Sequence, residues 1–322
     1  MTAESGAITP EDSVATRAGP AAMTRRGLLL FASMCVIWGI PYLFIRIAVG
    51  ELSPATLVFL RTGLAALILV PIALTRGGGL RPLLGRWRPL LLFAAIEVAI
   101  PWFFLSSAEQ HLSSSLTGLL ISAVPLVATV ITLASGNRDR IGPGTLVGLL
   151  IGVVGVAAIV GFDLRVASTT ALLEIGLVVI GYALGPVILA RYLSDLPAVK
   201  VNAVSLALCA LAYAPVAVIQ RPSAVPSMGV LVSVAVLAIV CTALAFLVFF
   251  ALIAEIGPVR ATVITYINPA VAALLGVLVL GETFTLGMGA GFALVLLGST
   301  LATGRTPRLD RLVRLQRALR RG

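Results

Sequence analysis

The chain has 322 residues, of which 59% are hydrophobic and 11% charged, with a mean hydropathy of +1.10 and a formal net charge of +10. Soluble domains carry about 25% charged residues, so a water-soluble fold is excluded. Apolar runs near 20 residues, the length that crosses a bilayer core of about 30 Å, recur along the chain and define an all-α integral membrane protein.

A membrane barrel would show short alternating segments instead. The single histidine, His111, cannot supply the clustered ligands of a metal site. Cys35, Cys209 and Cys241 lie inside apolar runs and read as small packing residues. No GxxxxGK[ST] run is present, so the chain carries no ATP-driven motor, and no cofactor is called for.

Residues 1–26 read as a disordered cytoplasmic tail, polar and small, without the apolar core and cleavage site of a secretory signal. Ten helices follow, predicted over 27–48, 54–75, 88–107, 113–133, 142–161, 170–191, 199–219, 228–250, 258–280 and 285–303.

The first carries Trp38 and Tyr42 one turn apart and Arg46 toward its far end. The second carries Arg61, about 10 Å into its span at 1.5 Å per residue. Both arginines read as snorkelling to the outer interface, with carboxylate recognition as the functional alternative and Glu51 in the connecting loop as a partner for either.

The third helix holds Glu97, the carboxylate nearest mid-span, in LLFAAIEVAIPWFFL, with Pro101 four residues later and Trp102 beside it. A charge at the bilayer centre costs at least about 2.5–3.5 kcal/mol, so such a group faces a wet cavity, a substrate or a partner. Pro101 displaces the carbonyl of Glu97 itself and is expected to kink the helix there. Either Glu97 is a substrate-amine or proton site, or it is a neutral acid hydrogen-bonded between helices.

Helix 4 carries Gly118, Ser122 and Pro125, and helix 9 carries Thr262, Tyr266 and Pro269 with Asn268 adjacent. Matching prolines mark paired hinge points with freed carbonyls, or kinks of a static bundle. Tyr182, mid-span in helix 6, is expected to line a substrate cavity with Glu97, Trp38, Tyr42, Trp102, Ser122, Thr262, Tyr266 and Asn268. Gly144, Gly148, Gly152 and Gly155 on helix 5, and Gly287 and Gly291 on helix 10, have small-xxx-small spacing for close backbone contact, within the chain or at a homodimer face. Glu282, before helix 10, is expected to cap that helix.

Internal repetition organises these elements. Gly144, Gly148, Gly155 and Gly161 have counterparts at Gly287, Gly291, Gly298 and Gly304, each 143 further on, and Pro54 matches Pro197 at the same offset. Nineteen of the 23 Lys and Arg residues fall on one side if the N-terminus is cytoplasmic. Both termini are then cytoplasmic, and an odd number of spans per unit makes the second five-helix repeat (162–304) upside down relative to the first (27–161). The +10 charge needs no nucleic acid. It is this bias plus the basic tail 305–322, in which Arg308, Arg311, Arg314, Arg317 and Arg320 alternate with leucines. That tail reads as an amphipathic helix on anionic inner-leaflet lipid, or as a solvated basic segment.

The segments CVIWGIPYLFIRIAVG, LVFLRTGLAALILVPIAL and, above all, AEIGPVRATVITYINPAVAALLGVLVLGETFTLGMGAGFALVLLGSTLA resemble the drug/metabolite transporter superfamily, specifically EamA-type ten-helix exporters, over about residues 27–304. The resemblance implies two inverted five-helix units, a multi-pass protein of the cell membrane and export of amino acids or related metabolites. One departure stands out: the first unit has SGNRDR (135–140) where the family often carries an acidic LGE-like turn.

The leading function is therefore a secondary transporter moving a small solute by alternating access, not an enzyme. A non-transporting membrane scaffold and, further off, an intramembrane enzyme are the alternatives. One acid, two arginines and several aromatics suit a small zwitterion better than a highly charged substrate.

Overall fold

The computed structural model describes residues 23–75, 79–134, 142–161 and 168–303. The tail readings at 1–22 and 305–322, the SGNRDR turn and Gly304 lie outside the described residues.

Among the described residues ten apolar helical rods follow one another: α1 (Arg25–Ala48), α2 (Pro54–Thr75), α3 (Trp87–Ala108), α4 (Ser114–Ala134), α5 (Pro143–Gly161), α6 (Thr169–Tyr192), α7 (Ala198–Ile219), α8 (Met228–Ile256), α9 (Ile264–Leu280) and α10 (Leu286–Ala302). Eight are long and apolar enough to cross a membrane; α9 and α10 are shorter. The main boundary difference is α8, which continues to Ile256 rather than stopping near residue 250.

The broadest pairings of rods are unchanged when α1–α5 are exchanged with α6–α10. Contacts α5–α10, α2–α7 and α4–α9 map onto themselves, while α3–α6 maps onto α8–α1 and α6–α4 onto α1–α9. This is a two-fold arrangement of inverted five-helix units. The broadest contacts all run between the units. Lipid-facing leucines and valines such as Leu150, Val153, Leu211 and Leu278 stay exposed, since burying them against protein instead of acyl chains gains little.

Glycine governs the α5–α10 crossing. A Cβ on Gly155 would lie 2.7 Å from the Gly291 carbonyl oxygen, and one on Gly291 would lie 2.6 Å from that of Gly155. Gly148, Gly152 and Gly298 touch backbone or side chain just as closely, so these glycines are used inside the chain. Gly144 departs from the expected stripe: a Cβ there meets nothing.

Several rods are discontinuous. α1 breaks at Trp38–Ile40, before Pro41; α4 breaks at Ser122–Ala123, before Pro125. The chain before α9 forms a separate turn, Pro258–Ala261, so its break falls at Thr262–Val263, upstream of Pro269, which lies buried inside the helix. In α3 a π-helical segment, Ala94–Ala99, is centred on Glu97 and ends just before Pro101. Its repeat mate α8 has a π-helical segment too, Val236–Leu244, with no proline at all. π-turns widen the helix by one residue and cluster at functional sites.

The acidic turn does something other than the expected cap. Thr285 caps α10, accepting from Met288 N at 3.2 Å. Glu282 reaches across the unit boundary to the start of α4. There its carboxylate accepts from Ser114 N (2.7 Å), Ser115 N (2.8 Å), Ser115 Oγ (2.6 Å) and Ser114 Oγ (3.1 Å). Gly281, at φ 66°, makes the left-handed turn that aims it there, a conformation with little penalty only for glycine. Glu282→Ala would orphan donors on two serines that are fully buried, at about 1–3 kcal/mol. A clear fall in the thermal midpoint in detergent is expected; an unchanged midpoint would mean the cap contributes nothing.

Candidate functional site

The site is built where α1, α2, α3, α6 and α8 meet. Arg61 is the centre. Its position seven residues into α2 suggested snorkelling, but its side chain turns inward and is 6% exposed. The guanidinium carbon lies 3.7 Å above the Trp102 ring, and Nε donates to Thr242 Oγ1 at 3.0 Å. Thr242 in turn donates to Leu237 O, five residues back, a bond the π-helical segment of α8 makes available. Among the described residues no carboxylate pairs directly with Arg61, so a buried cation is held by an aromatic face and a hydroxyl. Tyr42, Tyr182 and Glu109 lie within its electrostatic reach.

Glu97 projects from the π-helical segment of α3 onto Gly185 of α6, where a Cβ would collide with the carboxylate. A turn earlier, Gly181 receives the Pro101 ring and the Ile96 carbonyl. Oε2 of Glu97 is buried without a hydrogen-bond partner, while the carbonyl of Ala99 is satisfied by Tyr213 Oη at 3.1 Å. Tyr182, one turn before Gly185 on α6, packs between the clusters that hold Tyr42 and Trp102, and no bond joins Glu97 to Arg61. The structure thus brings Tyr42, Arg61, Glu97, Trp102 and Tyr182 together.

The other expected residues sit elsewhere. Trp38 packs tilted against Phe249 (4.7 Å between centroids) and edge-on to Phe246 of α8, in a separate apolar cluster. Ser122 donates back to Leu119 O at the α4 break. Thr262, Tyr266 and Asn268 belong to α9 and the turn before it, a rod packed mainly on α4 and α1. With its amide turned to meet acceptors, Asn268 bonds Ile264 O (2.9 Å) and Cys35 O (3.1 Å), tying α9 to α1. The Tyr266 hydroxyl is buried without a partner.

Arg46 donates through Nη1 to the backbone carbonyl of Glu109, joining α1 to the end of α3. Glu51 takes neither arginine. It accepts from Ser227 N at 2.7 Å, and the hydrogen bonds from Ser227 hold its carboxyl below the usual carboxylate range.

Two acids were missed. Glu109 sits in the short polar stretch AEQHLSS and has the look of a loop residue, yet it is fully buried and both its carboxylate oxygens lack partners. Glu174 on α6 accepts from Ser107 Oγ at 2.8 Å. The signal for Glu109 was its place one turn beyond Leu105 on the face of α3 that carries Trp102.

Comparisons with known proteins agree with this architecture. A model of the EamA-like transporter family matches residues 25–161 and again residues 169–304. The uncharacterized inner membrane transporter YedA of Escherichia coli (strain K12) is 29% identical over 263 residues, 80% of this chain and 83% of that protein. An uncharacterized transporter of Archaeoglobus fulgidus is 26% identical over 286 residues, 84% of this chain and 96% of that protein. A solved crystal structure shares the fold with a TM-score of 0.64 at 21% identity, over 88% of this chain and 98% of that one. With one family match for each five-helix unit and rods that pair across the two units, the chain belongs to the EamA-like transporter family and is a multi-pass membrane transporter.

Proposed function

We propose that the protein exports a small zwitterionic, amino-acid-like solute across the cell membrane by alternating access. The observation that carries this reading is that a buried base, Arg61, and a buried acid, Glu97, flank Tyr182 without bonding each other. Arg61, with no direct carboxylate partner among the described residues, suits a solute carboxylate, and Glu97, with an unpartnered oxygen, suits its amine. Discontinuous helices around a site between inverted repeats are the usual architecture of such transporters. The breaks of α1, α4 and α9 and the π-helical segments of α3 and α8 supply flexible points on both units.

The basic-residue bias supports cytoplasmic termini. The Glu109, Glu282 and Glu51 contacts then close the outer end, and the basic tail contacts anionic inner-leaflet lipid. A reporter fused within residues 79–86 should accordingly signal cytoplasm.

The deciding experiment is counterflow into liposomes holding the purified protein, against a panel of labelled amino acids. At least one zwitterion should exchange. Glu97→Gln, which keeps shape and loses charge, should cut that exchange about tenfold or more, the effect of losing roughly 1.4 kcal/mol of binding, without changing the folded yield. Absence of exchange across the panel, or a normal rate in Glu97→Gln, would sink this assignment.

A further inference from the structure

The Glu109 carboxyl group is used by nothing described so far. It follows α3 at the end where Arg46 and the Glu282 cap close the bundle, and it has no surface exposure. An ionised carboxylate buried without a hydrogen bond is so costly that such a group takes up a proton instead. The charged and titratable groups around it come from every neighbouring element. Arg46 of α1 bonds its carbonyl, and Tyr42 of α1, Arg61 of α2, Tyr182 of α6 and Glu282 of the α9–α10 connection lie within electrostatic range. Glu174 is bonded to the nearby Ser107, and His111 shares its loop. Both guanidinium groups are occupied, Arg46 on the Glu109 carbonyl and Arg61 on Thr242 and Trp102. Neither bonds the carboxyl group as the molecule stands.

We propose that Glu109 is a proton-binding residue linked to the Arg61 site: it holds a proton in the arrangement described here, and on releasing it the carboxylate draws the Arg61 guanidinium off Trp102. The O–H proton passes to water as the Arg46 contact opens. The carboxylate then accepts N–H bonds from Arg61, and no electrons are transferred. Because a solute carboxylate and the Glu109 carboxylate compete for one guanidinium, protonation of Glu109 favours solute binding, and bound solute favours the proton by the same factor. Burial, with Glu282 beside it, holds the Glu109 carboxyl well above the usual carboxylate range, Arg46 and Arg61 opposing. The link to solute rests on the reading of Arg61 as the solute anchor; the proton site itself does not.

Two measurements on full-length protein in liposomes test it, and neither needs a substrate. In infrared difference spectra between neutral and alkaline pH, the wild type should lose a protonated-carboxyl carbonyl band. Glu109→Gln should lack that band, and Glu97→Gln should keep it. In a Trp38→Phe/Trp87→Phe background, where Trp102 is the one remaining indole, emission should titrate with the same midpoint. Adding Glu109→Gln should flatten that titration. A band and an emission titration that both survive Glu109→Gln would overturn the proposal, as would a wild type that shows no titrating carboxyl. If the single-tryptophan protein does not fold, the infrared comparison decides alone. A protein that moves no solute at all still gives or withholds this titration, so the two readings fail separately.

Discussion

Replacing Gly148 by leucine should abolish recovery of folded, monodisperse protein. Around Gly148 there is no room even for one methyl group, because the Gly298 carbonyl and the Ala302 backbone of α10 occupy the space. Forcing extra methylenes into a well-packed contact costs about 1–3 kcal/mol even where side chains can yield. Here the obstacle is backbone on both sides, so two whole helices must separate and lose the dispersion contacts of the crossing. Gly291→Leu should behave alike. Gly144→Leu, one turn earlier on α5, supplies the control, since its added side chain enters open space. Size-exclusion profiles and thermal midpoints in detergent make the comparison. A stable Gly148→Leu protein, or equal damage from Gly144→Leu, would contradict the assignment.

Arg61→Met should leave the protein at least as stable as the wild type and unable to transport. A buried charge without a direct counter-ion carries a desolvation penalty, and exchange for an apolar side chain of similar volume is often neutral or stabilising. What Met loses is the stack on Trp102, worth about 2 kcal/mol for a desolvated cation, and the bond to Thr242. If those contacts exist to hold a binding group in place rather than to hold the helices together, folding survives and counterflow disappears. Arg61→Lys sharpens the test, because the charge remains while the planar fork and the stack do not. Its apparent KM should rise more than its maximal rate falls. Should Arg61→Met unfold the protein while Arg61→Lys transports normally, Arg61 is a packing residue.

Much of the fold was legible because membrane constraints are strict. Span length, the bias of Lys and Arg and a constant 143-residue offset depend on the chain alone. The site was less legible for reasons that differ by residue. Depth along α2 located Arg61 but not the face on which it lies, and the rotamer that buries it under Trp102 depends on α3 and α8. Glu109 has a loop-like neighbourhood in sequence, and its burial beside Arg46 and Glu282 depends on elements remote along the chain. Nothing in VLAIVCTAL announces a π-helical segment; its wider turn lets the Thr242 hydroxyl reach a carbonyl five residues back. Glu282 has a helix start three residues downstream, so local reasoning chose that partner, whereas the start of α4 lies beside it only in space. Pro41, which follows the break in α1, stands in WGIPY but was not among the expected hinge points.

The pairing of rods across the two-fold has a consequence for how the molecule holds together. Its broadest contacts, α5 on α10 and α2 on α7, join like to like between the units, as in an isologous dimer. The peptide link between the units is then a stoichiometric device. It guarantees one copy of each half and frees the two halves to diverge, so that Glu97 and Glu282 need no counterparts in the other half. The chain is a heterodimer of two unlike subunits that happen to be synthesised as one, and its cohesion is a matter of interface rather than of linkage.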